Sequence, residues 1–216
     1  MHRRQADENM AFCFPGDPGS SSYEKARAAE ISEACKKFDV TIDLHNINGH
    51  GANTAQIYPE RGVSPEVLGF LRATGIGRLI LADYHGVLRH VPNAIVMERV
   101  RGADGVDPVT FRHALFRLAN GPEIPRARAA DFRWFHLLDD SPHENRAGPD
   151  CLAAVPGLQA FEPLPAALAA RLMDDPPAGL GLMGWLDEPN ENGYWTEMVV
   201  PAQAPDDSSW PRWPSR

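Results

Sequence analysis

The 216-residue sequence has few cysteines, little basic charge and no long apolar run, and each shortage excludes a class of protein. Its cysteines, Cys13, Cys35 and Cys151, are odd in number and widely spaced, which favours reduced thiols and a cytoplasmic setting over a disulfide framework. The net charge of −8 disfavours nucleic acid and anionic membranes as partners. No apolar stretch is long enough to span a bilayer, and the first residues lack the apolar core of a signal peptide. With 43% hydrophobic residues the chain is expected to form one domain or two small ones. Whether it forms a homo-oligomer is an open question at this point.

The segment from Val40 to Asn46 carries the strongest sign of a functional site. Apolar residues alternate with polar residues along it, and this period of two predicts a buried strand with two different faces. In open α/β sheets ligands bind beyond the carboxyl ends of the strands, so His45 and Asn46 are expected where chemistry takes place, at the end of a central strand. A lone histidine is more often a structural or surface residue than a metal ligand, so this segment alone does not favour a metal site.

Strands and helices alternate over the first 125 residues. Two helices are predicted to begin at capping residues, the first near Ser21 and the second at Ser64 before Pro65. This alternation predicts an α/β fold with right-handed crossovers and a mainly parallel sheet. The remaining predicted elements are a helix from Asp107 to Gly121 and strands over 79–84 and 94–98.

The signals weaken after about residue 125. Residues 132–137 alternate as a strand does, and proline and glycine interrupt the sequence beyond them. We therefore divide the chain into an α/β domain at 1–125, a less regular part at 126–200 and a disordered tail at 201–216.

Two motifs, Asp43-Leu44-His45-Asn46 and the earlier Phe14-Pro15-Gly16, together resemble the succinylglutamate desuccinylase/aspartoacylase family, zinc-dependent deacylases related to the zinc carboxypeptidases. The resemblance implies a zinc-carboxypeptidase-like, mostly parallel sheet with flanking helices, followed by a small β-containing domain. It also implies that His45 is a zinc ligand and that Arg4 binds substrate. Ala11 and Phe12 stand where the family has a polar Asn-Arg pair for the substrate.

The sequence departs from the family at the other zinc ligands. The family carries a His-x-x-Glu pair before the position of Arg4, and none is present here; no other histidine shows a paired metal-binding spacing. Because a catalytic zinc site needs three protein ligands, the Zn²⁺ ligand set of this chain is incomplete. We interpret the chain as an N-terminally shortened family member or as a relic that no longer binds zinc tightly.

Glu98 is the second candidate residue, because it closes the apolar run of a predicted strand. From the strand alone, a surface pair with Arg99 or Arg101 is the simpler interpretation. The resemblance implies instead that Glu98 promotes attack of water on an amide carbonyl and returns the proton to the leaving amine.

Three further residues complete the candidate set for substrate binding. The resemblance implies that Arg89 binds a substrate carboxylate, although an ordinary loop arginine is an equal alternative. Asn46 either contacts substrate or orients His45 and the nearby backbone. Tyr194 matches a family tyrosine loosely, and a packed core aromatic is its alternative.

The resemblance implies a zinc-dependent amidohydrolase that removes the acyl group from a small-molecule N-acyl amino acid. Two alternatives stay open: a truncated, non-catalytic family member that binds a ligand or partner, and a related carboxypeptidase that acts on peptides.

Overall fold

The computed structural model of this protein describes residues 8–47, 50–83, 86–91, 93–100, 108–120, 125–138, 157–185 and 196–206. In these ranges the helices are α1 (Tyr23–Cys35), α2 (Pro65–Ala73), α3 (Val87–His90), α4 (Pro108–Asn120) and α5 (Ala166–Leu172). The strands are β1 (Thr41–Ile47), β2 (His50–Gly51), β3 (Thr54–Ile57), β4 (Arg78–Leu81), β5 (Ala94–Val100), β6 (Arg133–Leu137), β7 (Gly181–Trp185) and β8 (Thr196–Ala202).

Side-chain caps fix the starts of the first two helices, as predicted. The hydroxyl oxygen of Ser22 accepts a hydrogen bond from the Lys25 amide, and that of Ser64 accepts one from the Val67 amide. Pro65 occupies the first turn of α2, where its missing amide hydrogen costs nothing.

All the described strands join one sheet in the order β1-β5-β3-β4-β6-β8-β7-β2. The pairs β1–β5, β3–β4 and β4–β6 are parallel, and the remaining pairs are antiparallel. The α/β class is therefore confirmed. The strands β6 to β8 continue the sheet of the first part, and the predicted domain boundary near residue 125 stays a prediction.

Each face of the sheet has its own apolar core. On one face, α2 and α4 pack over the sheet, with Phe70 and Phe111 in edge-to-face contact. The opposite core holds apolar residues of β4, β5 and β6 together with Met183 of β7 and Val199 of β8. Residues of α3 cover this second core.

The sheet must be strongly curled, because its two ends are almost adjacent in sequence. In a flat sheet of this order, β1 and β2 would lie about 34 Å apart. Only two residues separate Ile47 from His50, and a connection of that length reaches at most about 11 Å. The β7–β8 end therefore curves round toward the carboxyl end of β1, and Met183 and Val199 pack in one core with Val96 of β5.

The predicted position of β1 needs correction, and α1 buries an unusual set of residues. The sheet order places β1 at an edge of the described sheet rather than at its centre, and its outward Leu44 is half exposed. Helix α1 buries the polar residues Glu24 and Ser32, whereas Tyr23 at its start and Phe38 beyond its end are exposed.

Backbone packing explains the unusual face of α1. The turn at Gly16 lies directly on the helix, and a side-chain carbon there would overlap the backbone of Ala29. The Ser32 hydroxyl donates a hydrogen bond to the carbonyl of Pro15 at 2.9 Å. Small and polar residues suit such a contact, so the larger apolar residues lie on the outer side.

The predicted start of the disordered tail is also wrong, since β8 runs to Ala202. Pro201 pairs in register with Phe135 of β6, whereas the pairing with β7 ends at Val199. Because Pro201 has no register partner in β7, no amide donor is needed from it for that pairing. Residues 207–216 lie outside the described residues.

Candidate functional site

The candidate site lies at the carboxyl ends of β1 and β5. These strands run parallel, so their carboxyl ends meet at the same edge of the sheet, and His45 is the direct register partner of Glu98. The ring Nδ1 of His45 lies 3.3 Å from Oε1 of Glu98. The structure therefore brings together the two residues that the sequence singled out, with their side chains on the same face.

The second ring nitrogen of His45 also contacts a carboxylate. Nε2 lies 3.0 Å from Oδ2 of Asp43, two residues earlier in the same strand. The hydrogen bonds to Asp43 and then to Glu98 raise the pKa of His45 to about 10, against an opposing effect of partial burial. Without a metal, His45 is therefore an imidazolium that donates hydrogen bonds to both carboxylates at neutral pH.

Glu98 is more enclosed than its histidine partner. Its side chain is 11% exposed, whereas the side chain of His45 is 37% exposed. On the other side of β5, the register partner of Glu98 is Thr54 of β3. A charged group so enclosed needs hydrogen-bond donors, and His45 supplies one of them.

Sequence reasoning missed two polar residues next to this pair. Thr54 and Gln56 of β3 are 0% and 3% exposed, and the Gln56 amide nitrogen lies 3.4 Å from Oε1 of Glu98. The available signal was the alternation Thr54-Ala55-Gln56-Ile57, which is typical of a half-buried strand. That pattern predicts polar side chains in solvent, but the curled sheet buries both faces of β3.

The predicted substrate-binding residues are less completely placed. Arg89 lies in the last turn of α3, exposed, with Nη1 4.0 Å from Oδ1 of Asp83; within the described residues it contacts neither His45 nor Glu98. Arg4 and Tyr194 lie outside the described residues, and the side chain of Asn46 does as well.

The donors of this site do not by themselves fit the zinc ion that the fold family implies. Both His45 nitrogens face carboxylates, and the described ranges contain no group of three histidine, cysteine, aspartate or glutamate side chains arranged to hold a metal ion. Three protein ligands are the norm for catalytic zinc. His45, the one zinc ligand predicted from the sequence, is thus joined by no further zinc ligands in the described part of the chain.

Comparison with solved structures shows which fold this is. Succinylglutamate desuccinylase from Chromobacterium violaceum superimposes with a TM-score of 0.61 at 20% identity, covering 94% of this chain and 70% of that one. The desuccinylase from Vibrio parahaemolyticus gives 0.58 at 16% identity, over 94% and 68% of the two chains. Murine aminoacylase 3 gives 0.53 at 15% identity, over 94% and 80%.

No protein-family model and no curated protein matches the sequence. At such low identity the structural likeness shows the fold, and it confirms at that level the resemblance seen in the motifs. None of the helices in the described ranges is long and apolar enough to cross a membrane.

Proposed function

We propose that this protein is an aspartoacylase-like hydrolase that removes the acyl group from an N-acyl amino acid. The observation that carries the proposal is the in-register contact of His45 with Glu98 at the carboxyl ends of two parallel strands. The fold supports it, since it is shared with proteins named succinylglutamate desuccinylase and aminoacylase 3.

Glu98 is the residue that we assign to proton transfer. Its carboxylate accepts a proton from the water that attacks the amide carbonyl, and it returns that proton to the nitrogen as the carbon–nitrogen bond breaks. The products are a carboxylic acid and a free amino acid. His45 donates a hydrogen bond to Oε1 and so holds this carboxylate in place.

We propose that the protein binds zinc only weakly. The fold family implies zinc, yet the described donors amount to one imidazole whose two nitrogens face carboxylates. We therefore assign no step to the metal. Arg4, Arg89, Asn46 and Tyr194 remain our proposed contacts for the carboxylate and amide of the substrate.

The test is hydrolysis of a panel of N-acyl amino acids and short peptides by the full chain. We expect Glu98→Gln to lower kcat by at least about a hundredfold, the ordinary contribution of a general base. Glu30→Gln, on the exposed side of α1, is the matched control and should keep the wild-type rate. Cleavage of peptides alone would replace the proposal with the carboxypeptidase alternative.

The engagement of both His45 nitrogens by carboxylates favours a second candidate function. A histidine held in this way can serve as part of a ligand-binding site without chemistry. In that case wild type and Glu98→Gln would show the same background rate. N-acyl amino acids would still raise the melting temperature of the wild type, because a ligand stabilises the folded state that binds it.

A further inference from the structure

Gln56 lies beside Glu98 on the same face of the sheet. In the antiparallel pair β3–β5, Gln56 is opposite Val96 and Thr54 is opposite Glu98, so Gln56 is the diagonal neighbour of Glu98. Its Nε2 lies 3.4 Å from Oε1 of Glu98. A carboxylate only accepts hydrogen bonds, which fixes the amide with its nitrogen toward Glu98 and its oxygen away.

The folding free energy alone does not favour glutamine at position 56. Its amide oxygen is buried and has no hydrogen-bond partner among the described residues, which lowers the stability of the folded state. The neighbouring Val96 is fully buried in an apolar core. A methionine of similar shape would avoid that cost.

The contact acts on one oxygen of the Glu98 carboxylate. Oε1 lies 3.3 Å from Nδ1 of His45 in β1 and 3.4 Å from Nε2 of Gln56 in β3, the two strands that flank β5. Among the described residues no side chain bonds the other oxygen, Oε2. Two donors on Oε1 therefore set the rotation of the carboxylate and leave Oε2 for the reacting groups.

We infer that Gln56 is a positioning residue that holds the Glu98 carboxylate from the β3 side so that Oε2 faces the substrate. The inference rests on the proposed function for the role of Glu98. It adds a residue to the site that neither the motifs nor the family resemblance assigns.

The kinetic test compares Gln56→Met with the control Thr54→Val. Both variants remove a buried oxygen that has no partner within the described ranges, but only Gln56→Met removes a donor from Glu98. We expect Gln56→Met to lower kcat by about tenfold to a hundredfold with little change in KM, because a misplaced catalytic group slows the chemical step. Its melting temperature should equal or exceed that of the wild type. Thr54→Val should keep kcat within about twofold of the wild type.

A second readout does not depend on activity. The side-chain amide resonances of Gln56 are assigned in a ¹⁵N spectrum by their absence in Gln56→Met. In Glu98→Ala they should shift and exchange faster with solvent, whereas in Thr54→Val they should stay in place.

The outcomes separate the two proposals. An inactive wild type overturns the proposed function, and the amide resonances then decide whether Gln56 holds Glu98. The positioning role is overturned if the Gln56 resonances do not change in Glu98→Ala. It is also overturned if Thr54→Val lowers kcat as much as Gln56→Met does.

Discussion

The ring of His45 is held by two carboxylates, and this determines its protonation. We expect its NMR titration in metal-free protein to show an imidazolium throughout the neutral range, with a midpoint near pH 10. Asp43→Asn should lower that midpoint, because the hydrogen bond to Asp43 is the largest cause of the shift. Glu33→Gln on the exposed side of α1 is the control and should leave it unchanged.

The same pair makes stability depend on pH in a definite direction. The pKa of His45 is higher in the folded chain than its usual 6.5, so the folded state binds the proton more tightly. The stabilisation is fully present below pH 6.5 and is lost as the pH rises toward 10. Urea unfolding of wild type and His45→Gln should therefore differ most below pH 6.5 and converge near pH 10; a difference that grows with pH would contradict this.

Phe12 is the residue from which we predict substrate preference. It is exposed and takes a position where the family resemblance implies an arginine for the substrate. A charge-assisted contact to a carboxylate is worth roughly 1.5–3 kcal/mol, so its absence should disfavour acidic substrates. We expect kcat/KM for N-acetylaspartate to lie below that for neutral or aromatic N-acetyl amino acids, and Phe12→Arg to raise it about tenfold. Equal or better turnover of N-acetylaspartate by the wild type would show that Phe12 does not determine substrate preference.

The roles of single residues could be predicted only where the local sequence pattern indicated them. Alternation along β1 pointed to His45, whereas Glu98 was singled out by the family resemblance, since its own strand favoured a surface pair. The contact of Gln56 with Glu98 depends on an antiparallel pairing across 42 residues, which no local pattern specifies.

Helix α3 is held in place by hydrogen bonds from one side chain, that of Arg61. Arg61 donates to the carbonyls of Leu88 and Val91 through Nη1, at 3.1 and 2.7 Å, and to that of Arg89 through Nη2 at 2.6 Å. These carbonyls lie at the end of a four-residue helix, where no further turn of helix can satisfy them.

We expect Arg61→Met to lower the free energy of unfolding by about 2 kcal/mol, since it leaves several carbonyls without their charged donor. Arg27→Met is the control, because Arg27 makes only an exposed pair with Glu30 within α1, and it should change the free energy by less than about 0.5 kcal/mol. Urea denaturation monitored by fluorescence measures both. Equal losses would show that the three contacts contribute nothing specific.

Element starts were easier to predict than element faces. Ser64 and Pro65 predicted the beginning of α2 because capping is a local interaction. The buried side of α1 could not be predicted in the same way, because it is set by backbone contacts with the turn at Gly16, which lies outside the helix.

For the whole molecule, the donor set predicts weak zinc binding. The full chain dialysed against a chelator and then against buffer should retain well below one zinc per chain by elemental analysis, because a single imidazole cannot replace three ligands. His45→Gln should retain the same small amount. One tightly held zinc per chain, lost in His45→Gln, would show that residues outside the described ranges complete the site.

The α/β class was predictable from the order of the elements, but the lateral arrangement of the sheet was not. Alternation along β1 identifies its two faces and says nothing about its neighbours, so the edge position of β1 was missed. The strands β6 to β8 likewise extend the first sheet through pairings between distant parts of the chain.

The two-residue step from Ile47 to His50 also constrains the order in which the chain can assemble. His50 pairs with Trp185, more than a hundred residues later, and pairings of such separation form slowly because a long loop must close first. Helices α1 and α2 can form early from local contacts, whereas the strand that follows His45 acquires its partner only when β7 arrives. Release of β2 from β7 would free the chain just beyond β1 while leaving intact the β1–β5 pair, on which the contact of His45 with Glu98 depends.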